Sequence, residues 1–72
     1  MRGFTDEERR RWEVVIGKES WGTLVLLFSP TAGGDARTST LAAETTFAAN
    51  EELDALTDDD LRDRLRDSRP WP

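Results

Sequence analysis

The sequence predicts an α+β fold, a small antiparallel sheet of three or four strands with a C-terminal helix packed on one face. Three observations carry this. Residues 11–17 and 22–29 are runs rich in β-branched, aromatic and large apolar side chains, separated by a polar, glycine-bearing break, which is the pattern of a β-hairpin. Residues 36–43 are threonine-rich and alternate, as a third strand does. Thr57-Asp58-Asp59-Asp60 then reads as a helix start, with threonine as cap and acids where the helix dipole favours negative charge.

The hairpin holds most of the large apolar groups. Trp12, Val14 and Ile16 point to one side of the first strand, and Leu24, Leu26 and Phe28 share a side of the second. Val25 and Leu27 make the other side of the second strand apolar as well, which predicts a central strand covered on both faces, with the C-terminal helix as one cover. Pro30 to Asp35 is a turn by composition. Its Gly33-Gly34 pair lacks the Lys-Ser/Thr ending and following helix of a phosphate-binding loop. The polar makeup of the third strand, in which Arg37, Ser39 and Leu41 share a side, fits a sheet edge.

Outside the strands, Asn50 reads as the cap of one helical turn, and Phe47 is expected to tuck into the core. The C-terminal helix is expected over 58–67. Leu56 staples it against Leu61, Leu65 sits one turn on, and Asp58–Arg62 and Asp60–Arg64 form pairs at i, i+4. Pro70 forbids continuation and leaves an extended tail, 69–72, with Trp71 between two prolines. The predicted core is Val14, Ile16, Leu24, Leu26, Phe28, Leu41, Leu56, Leu61 and Leu65. Residues 4–10 admit two readings. Thr5 and Glu8 form a capping box for a short helical turn, which local propensity favours; alternatively Phe4 lies on a strand and Asp6 to Arg9 make a turn.

With 72 residues the chain is one small domain. Such a chain buries only about 60% of the surface its unfolded form exposes, so its stability is modest. It has no cysteine and no histidine, so neither disulfides nor a zinc site of the usual kind can reinforce it. The net charge of −5 makes phosphate backbones and anionic membranes poor partners. No apolar run is long enough to span a bilayer, and the start lacks the apolar stretch of a signal peptide, so the expected location is cytoplasmic.

The residues that carry most catalysis, His, Cys and Tyr, are missing. Capping and solubility explain the carboxylates at Asp6 to Glu8 and Asp58 to Asp60, so no catalytic, cofactor or metal residues are assigned and no enzyme is expected. Successive helical residues diverge by about 100°, so the three aspartates cannot converge on one ion.

Several short motifs stand in a recognisable order: Phe4 and Asp6, Trp12 and Val14, Gly22, Leu24 and Leu26 to Phe28, Arg37, and Leu56-Thr57-Asp58 with Leu61. In these the chain resembles a group of short bacterial proteins with no assigned activity, in which Phe-x-Asp-x-x-Gly precedes a Trp-x-Val strand. Arg9 stands where that group has the turn glycine. The resemblance implies a small antiparallel sheet with a C-terminal helix, and it favours the strand reading of Phe4.

The functional expectation is a non-enzymatic protein-interaction module, with a homodimer as its simplest form. One helix can cover only one sheet face. That leaves an apolar strip around Trp12, Trp21, Val25 and Leu27 for a partner, with the Trp71 tail either folding back over it or docking elsewhere. The third strand offers an edge for strand addition. Against this stands a monomer whose N-terminal segment and tail cover the strip themselves. The alternative from another class is a weak single-stranded nucleic-acid binder. Arg9 to Arg11 beside Trp12 would serve as its basic stacking platform, although three acids immediately before the arginines are expected to neutralise them.

Overall fold

The structure, a computed structural model, describes residues 2–19 and 22–71. It is an α+β domain. In chain order its elements are β1 (Arg2–Thr5), β2 (Arg11–Lys18), β3 (Leu24–Pro30), β4 (Arg37–Thr40), α1 (Thr46–Ala55), α2 (Asp58–Arg66) and β5 (Arg69–Pro70). The strands form one antiparallel sheet in the order β1-β2-β3-β4-β5, two strands beyond the hairpin and threonine-rich strand read from the sequence.

The first addition is β1, so the strand reading of Phe4 holds and the helical turn does not form. Asp6 is the reason. Its carboxylate accepts the backbone N–H groups of Glu8 and Arg10, each at 2.8 Å, and the Trp12 indole N–H at 2.8 Å. These bonds close a turn in which Asp6 N donates to Arg10 O at 2.9 Å and Arg9 adopts a left-handed φ of 66°. An aspartate side chain thus holds a turn that a glycine would make without strain.

The second addition is the tail. β5 pairs with β4 through Arg37↔Pro70 and Thr38↔Arg69, and Trp71 N extends the ladder to Ala36 O at 2.9 Å. The threonine-rich strand is therefore not an edge over Arg37 and Thr38. Arg37 fixes the junction by donating to Ser68 Oγ at 2.7 Å and Ser68 O at 2.6 Å.

The second hairpin matches its period-two reading. Val14↔Phe28 and Ile16↔Leu26 place the apolar rows side by side. Both helices lie on this face. Phe4, Trp12, Val14, Leu24, Leu26 and Phe28 form the core with Leu41, Ala49, Leu53 and Leu61. Phe4 and Phe28 meet edge to face, 5.9 Å apart at 75°. Ile16, Leu56 and Leu65, expected inside, are only partly buried and pack at its rim. β3 was expected to be covered on both faces, with the C-terminal helix as one cover; both helices lie on one face, and Val25 and Leu27 on the other have no helix over them.

α2 starts as read, with a capping box between Thr57 and Asp60. The expected i, i+4 pairs do not form. Asp58 pairs with Arg2 at 3.0 Å, Asp59 with Arg62 at 2.6 Å and Glu52 with Arg64 at 3.4 Å, while Asp60 is held by the cap. α1 is a full helix where one turn was expected. Its cap is Thr45, which accepts from Ala48 N at 3.1 Å, and Asn50 lies inside the helix. Arg2 closes its other end by donating to Leu53 O at 3.1 Å and Leu56 O at 2.6 Å.

Candidate protein-interaction surface

The strip expected to need a partner is mostly occupied by the protein itself. Trp12 is only 4% exposed, lies in the core and carries the Arg10 guanidinium 5.6 Å above its ring. Val25 lies on the helix-free face yet is fully buried. Arg69 reaches across that face, donating to Thr40 Oγ1 at 3.2 Å and pairing with Glu19 at 3.3 Å beyond the end of β2. This strap spans β3 at the level of Val25, the register partner of Thr40. Leu27 and Trp71 are half-buried, and Val15 beside Leu27 is 37% exposed. Trp21 falls outside the described residues. Of the five residues, then, Leu27 on the helix-free face and Trp71 in the tail retain accessible surface, while Trp12 and Val25 retain almost none.

Among the described residues the most exposed large apolar group is elsewhere. Phe47, expected in the core, is 73% exposed on α1. Burial of Ala49 and Leu53 fixes the phase of the helix. At about 100° per residue, Phe47, Glu51 and Asp54 fall within about 60° of one another, on the side opposite Ala49 and Leu53. Glu51 and Asp54 are exposed and make no ion pair among the described residues, and neither does Glu44 ahead of the helix. The outer stripe of α1 is therefore an aromatic ring followed by two uncompensated carboxylates.

This acidity is concentrated. Between Thr38 and Leu61 the chain has seven acidic residues and no basic one, whereas the remainder has ten basic and eight acidic. The four acids of the segment beyond those around Phe47 are engaged: Glu52, Asp58 and Asp59 in ion pairs, Asp60 in the cap. The segregation is legible in the sequence and escapes a reading that looks only for apolar period, because Phe47 and the alanines blur the helix stripe.

The opposite sign gathers at the β1–β2 turn. Arg9, Arg10 and Arg11 are exposed and unpaired among the described residues. Of the three acids that precede them, only Glu7 is drawn away, into a pair with Arg66. Asp6 is bound to the turn amides and Trp12 but still feels the Arg10 charge, and Glu8 is exposed beside Arg9 with no ion pair among the described residues. Burial pushes the Asp6 carboxyl up, but the Trp12 indole and the Arg10 and Glu8 amides outweigh it and hold the group below its ordinary value. With Trp12 buried, the turn offers charge without the stacking platform once read into it.

An open cleft of about 180 Å³ lies beside this turn, lined by Asp6, Glu7, Glu8, Arg62, Leu65 and Arg66. Its arginines are already paired, Arg62 with Asp59 and Arg66 with Glu7 and Asp63. Among the described residues no group of three or more His, Cys, Asp or Glu side chains could hold a metal ion, and no helix is long and apolar enough to cross a membrane. In comparison with known proteins, the chain matches no family model, no curated protein and no solved structure.

Proposed function

We propose that this chain is a small non-enzymatic protein-interaction module whose contact surface is the outer stripe of α1. The observation that carries the reading is Phe47, a phenylalanine 73% exposed on a well-capped helix while smaller side chains of the same helix fill the core. An exposed aromatic contributes little to folding, but aromatic anchors dominate protein contacts. Of the outward positions at i, i+4 and i+7, Phe47 is the one apolar anchor, and Glu51 and Asp54 are its charged flank. The uncompensated acids around it favour a partner with a basic surface by steering its approach and fixing its orientation.

The nucleic-acid alternative has only the free arginines of the turn in its favour; a net charge of −5 opposes it and its aromatic is buried. The interaction reading is tested by replacing Phe47 with a photo-crosslinking phenylalanine analogue in the producing cell. A discrete protein adduct is expected from position 47 and not from the same analogue at the exposed turn residue Asp35. A ladder of adducts equal at both positions would contradict a specific contact at α1.

A further inference from the structure

We infer that the partner is a second copy of this chain, docked head to tail, with the Phe47–Glu51–Asp54 stripe of one molecule on the Arg9–Arg11 turn of the next. The inference rests on the reading of α1 as a contact surface and names its occupant. The two patches are complementary in more than sign. A guanidinium presents a flat face that stacks on an aromatic ring and an edge of N–H donors that binds carboxylates. Phe47 offers the ring, and Glu51 and Asp54 on the same helix side offer carboxylates that make no ion pair among the described residues. Among the described residues Arg9 and Arg11 make neither contact, although the Arg11 guanidinium rests against Gly3 of β1, while Arg10 already lies over Trp12.

The fold keeps the patches from meeting within one molecule. β1 runs from Arg2, which closes the C-terminal end of α1, to Thr5, whose carbonyl accepts from Arg62 of α2 at 2.7 Å. The arginine turn follows at this far end, where Glu7 meets Arg66. The acidic stripe therefore lies towards one end of the sheet and the arginines lie at the other, so each patch needs another molecule to be satisfied. In a head-to-tail contact only one pair of patches is used, so each added molecule leaves an open patch at either end and assembly does not stop at a dimer. The net charge of −5 works against assembly at long range. At about 0.1 M salt that repulsion is screened beyond about 10 Å, while the contacting pairs are screened less.

Sedimentation equilibrium of the purified chain tests this. At about 0.1 M salt the weight-average mass is expected to climb with concentration past twice the 8.2 kDa of the chain without a plateau there, and to fall when the salt is raised severalfold. Phe47→Ser is expected to weaken association about tenfold. Glu51→Arg and Arg9→Asp each weaken it, the latter with a residue that tolerates the left-handed backbone. The double variant restores it, which loss of folding in either single variant could not produce. A chain that stays monomeric at millimolar concentration, a mass that levels off at the dimer, or a charge swap without rescue each overturns the head-to-tail contact. A specific adduct to another protein from position 47 in the cell, with no self-association in vitro, would remove this inference and leave the interaction reading standing.

Discussion

Arg9 and Asp6 divide between them the work of a single turn. Arg9 sits at a φ of 66°, a conformation that costs an L-residue with a Cβ roughly 1–2 kcal/mol relative to glycine. Arg9→Gly is therefore expected to stabilise the protein, by about 0.5–1 kcal/mol once the greater freedom of glycine in the unfolded chain is subtracted. A rise in the denaturant midpoint at constant slope checks it, and a fall would mean that the arginine side chain supports the turn. Asp6 does the opposite. Its folded-state pKa lies below the ordinary 3.8, so the unfolded chain binds its proton first as the pH falls. Its contribution is fully present above the ordinary pKa and is lost as the pH drops through the folded one. Asp6→Ala leaves the Trp12 indole N–H and two amides without their acceptor, which is expected to cost about 2 kcal/mol at neutral pH. Melts of both proteins should draw together as the pH is lowered below the ordinary value of 3.8. A gap independent of pH would show that the carboxylate charge plays no part.

At the scale of elements, legibility follows the strength of the local pattern. The β2–β3 hairpin is written twice, in period-two alternation and in β-branched composition, and the structure keeps its register. α2 is written in its cap and in Leu61. β1 is obscured because its turn lacks glycine; the signal was Asp6, whose side chain can cap amides that a backbone turn leaves open. β5 has no pattern to read. Two residues, one of them a proline, pair only because Arg37 holds Ser68 and carries the tail alongside β4. α1 misleads for a different reason. Its helix formers Ala48, Ala49, Glu51, Glu52 and Leu53 are good, but its largest apolar residue points away from the core, so periodicity places neither the helix nor its cap. The strip of Trp12, Val25 and Leu27 fails because it joins two faces: alternation puts Trp12 with Val14 and Ile16, on the core side, and Val25 and Leu27 on the other. What alternation does not reveal is that Arg69 straps across that other face.

The whole molecule is a two-layer domain with segregated charge. Among the described residues ten core side chains, contributed by β1 to β3, both helices and Leu41, are gathered on one face of the sheet. The other face is narrowed by the Arg69–Glu19 strap and the Trp71 tail, and the acidic stripe with Phe47 is turned outwards. The central claim is that α1 serves the core with one side and a partner with the other. Two substitutions in that one helix test it, read as denaturant unfolding of Phe47→Ser and Leu53→Ala against the parent chain. Leu53, 4% exposed, should cost about 2–5 kcal/mol on truncation, enough to leave a domain this small largely unfolded. Phe47→Ser should leave the midpoint within about 0.5 kcal/mol of the parent, as surface substitutions do. A loss of 2 kcal/mol or more from Phe47→Ser would mean that the ring is buried in the native state, and that the surface assigned to a partner is part of the core.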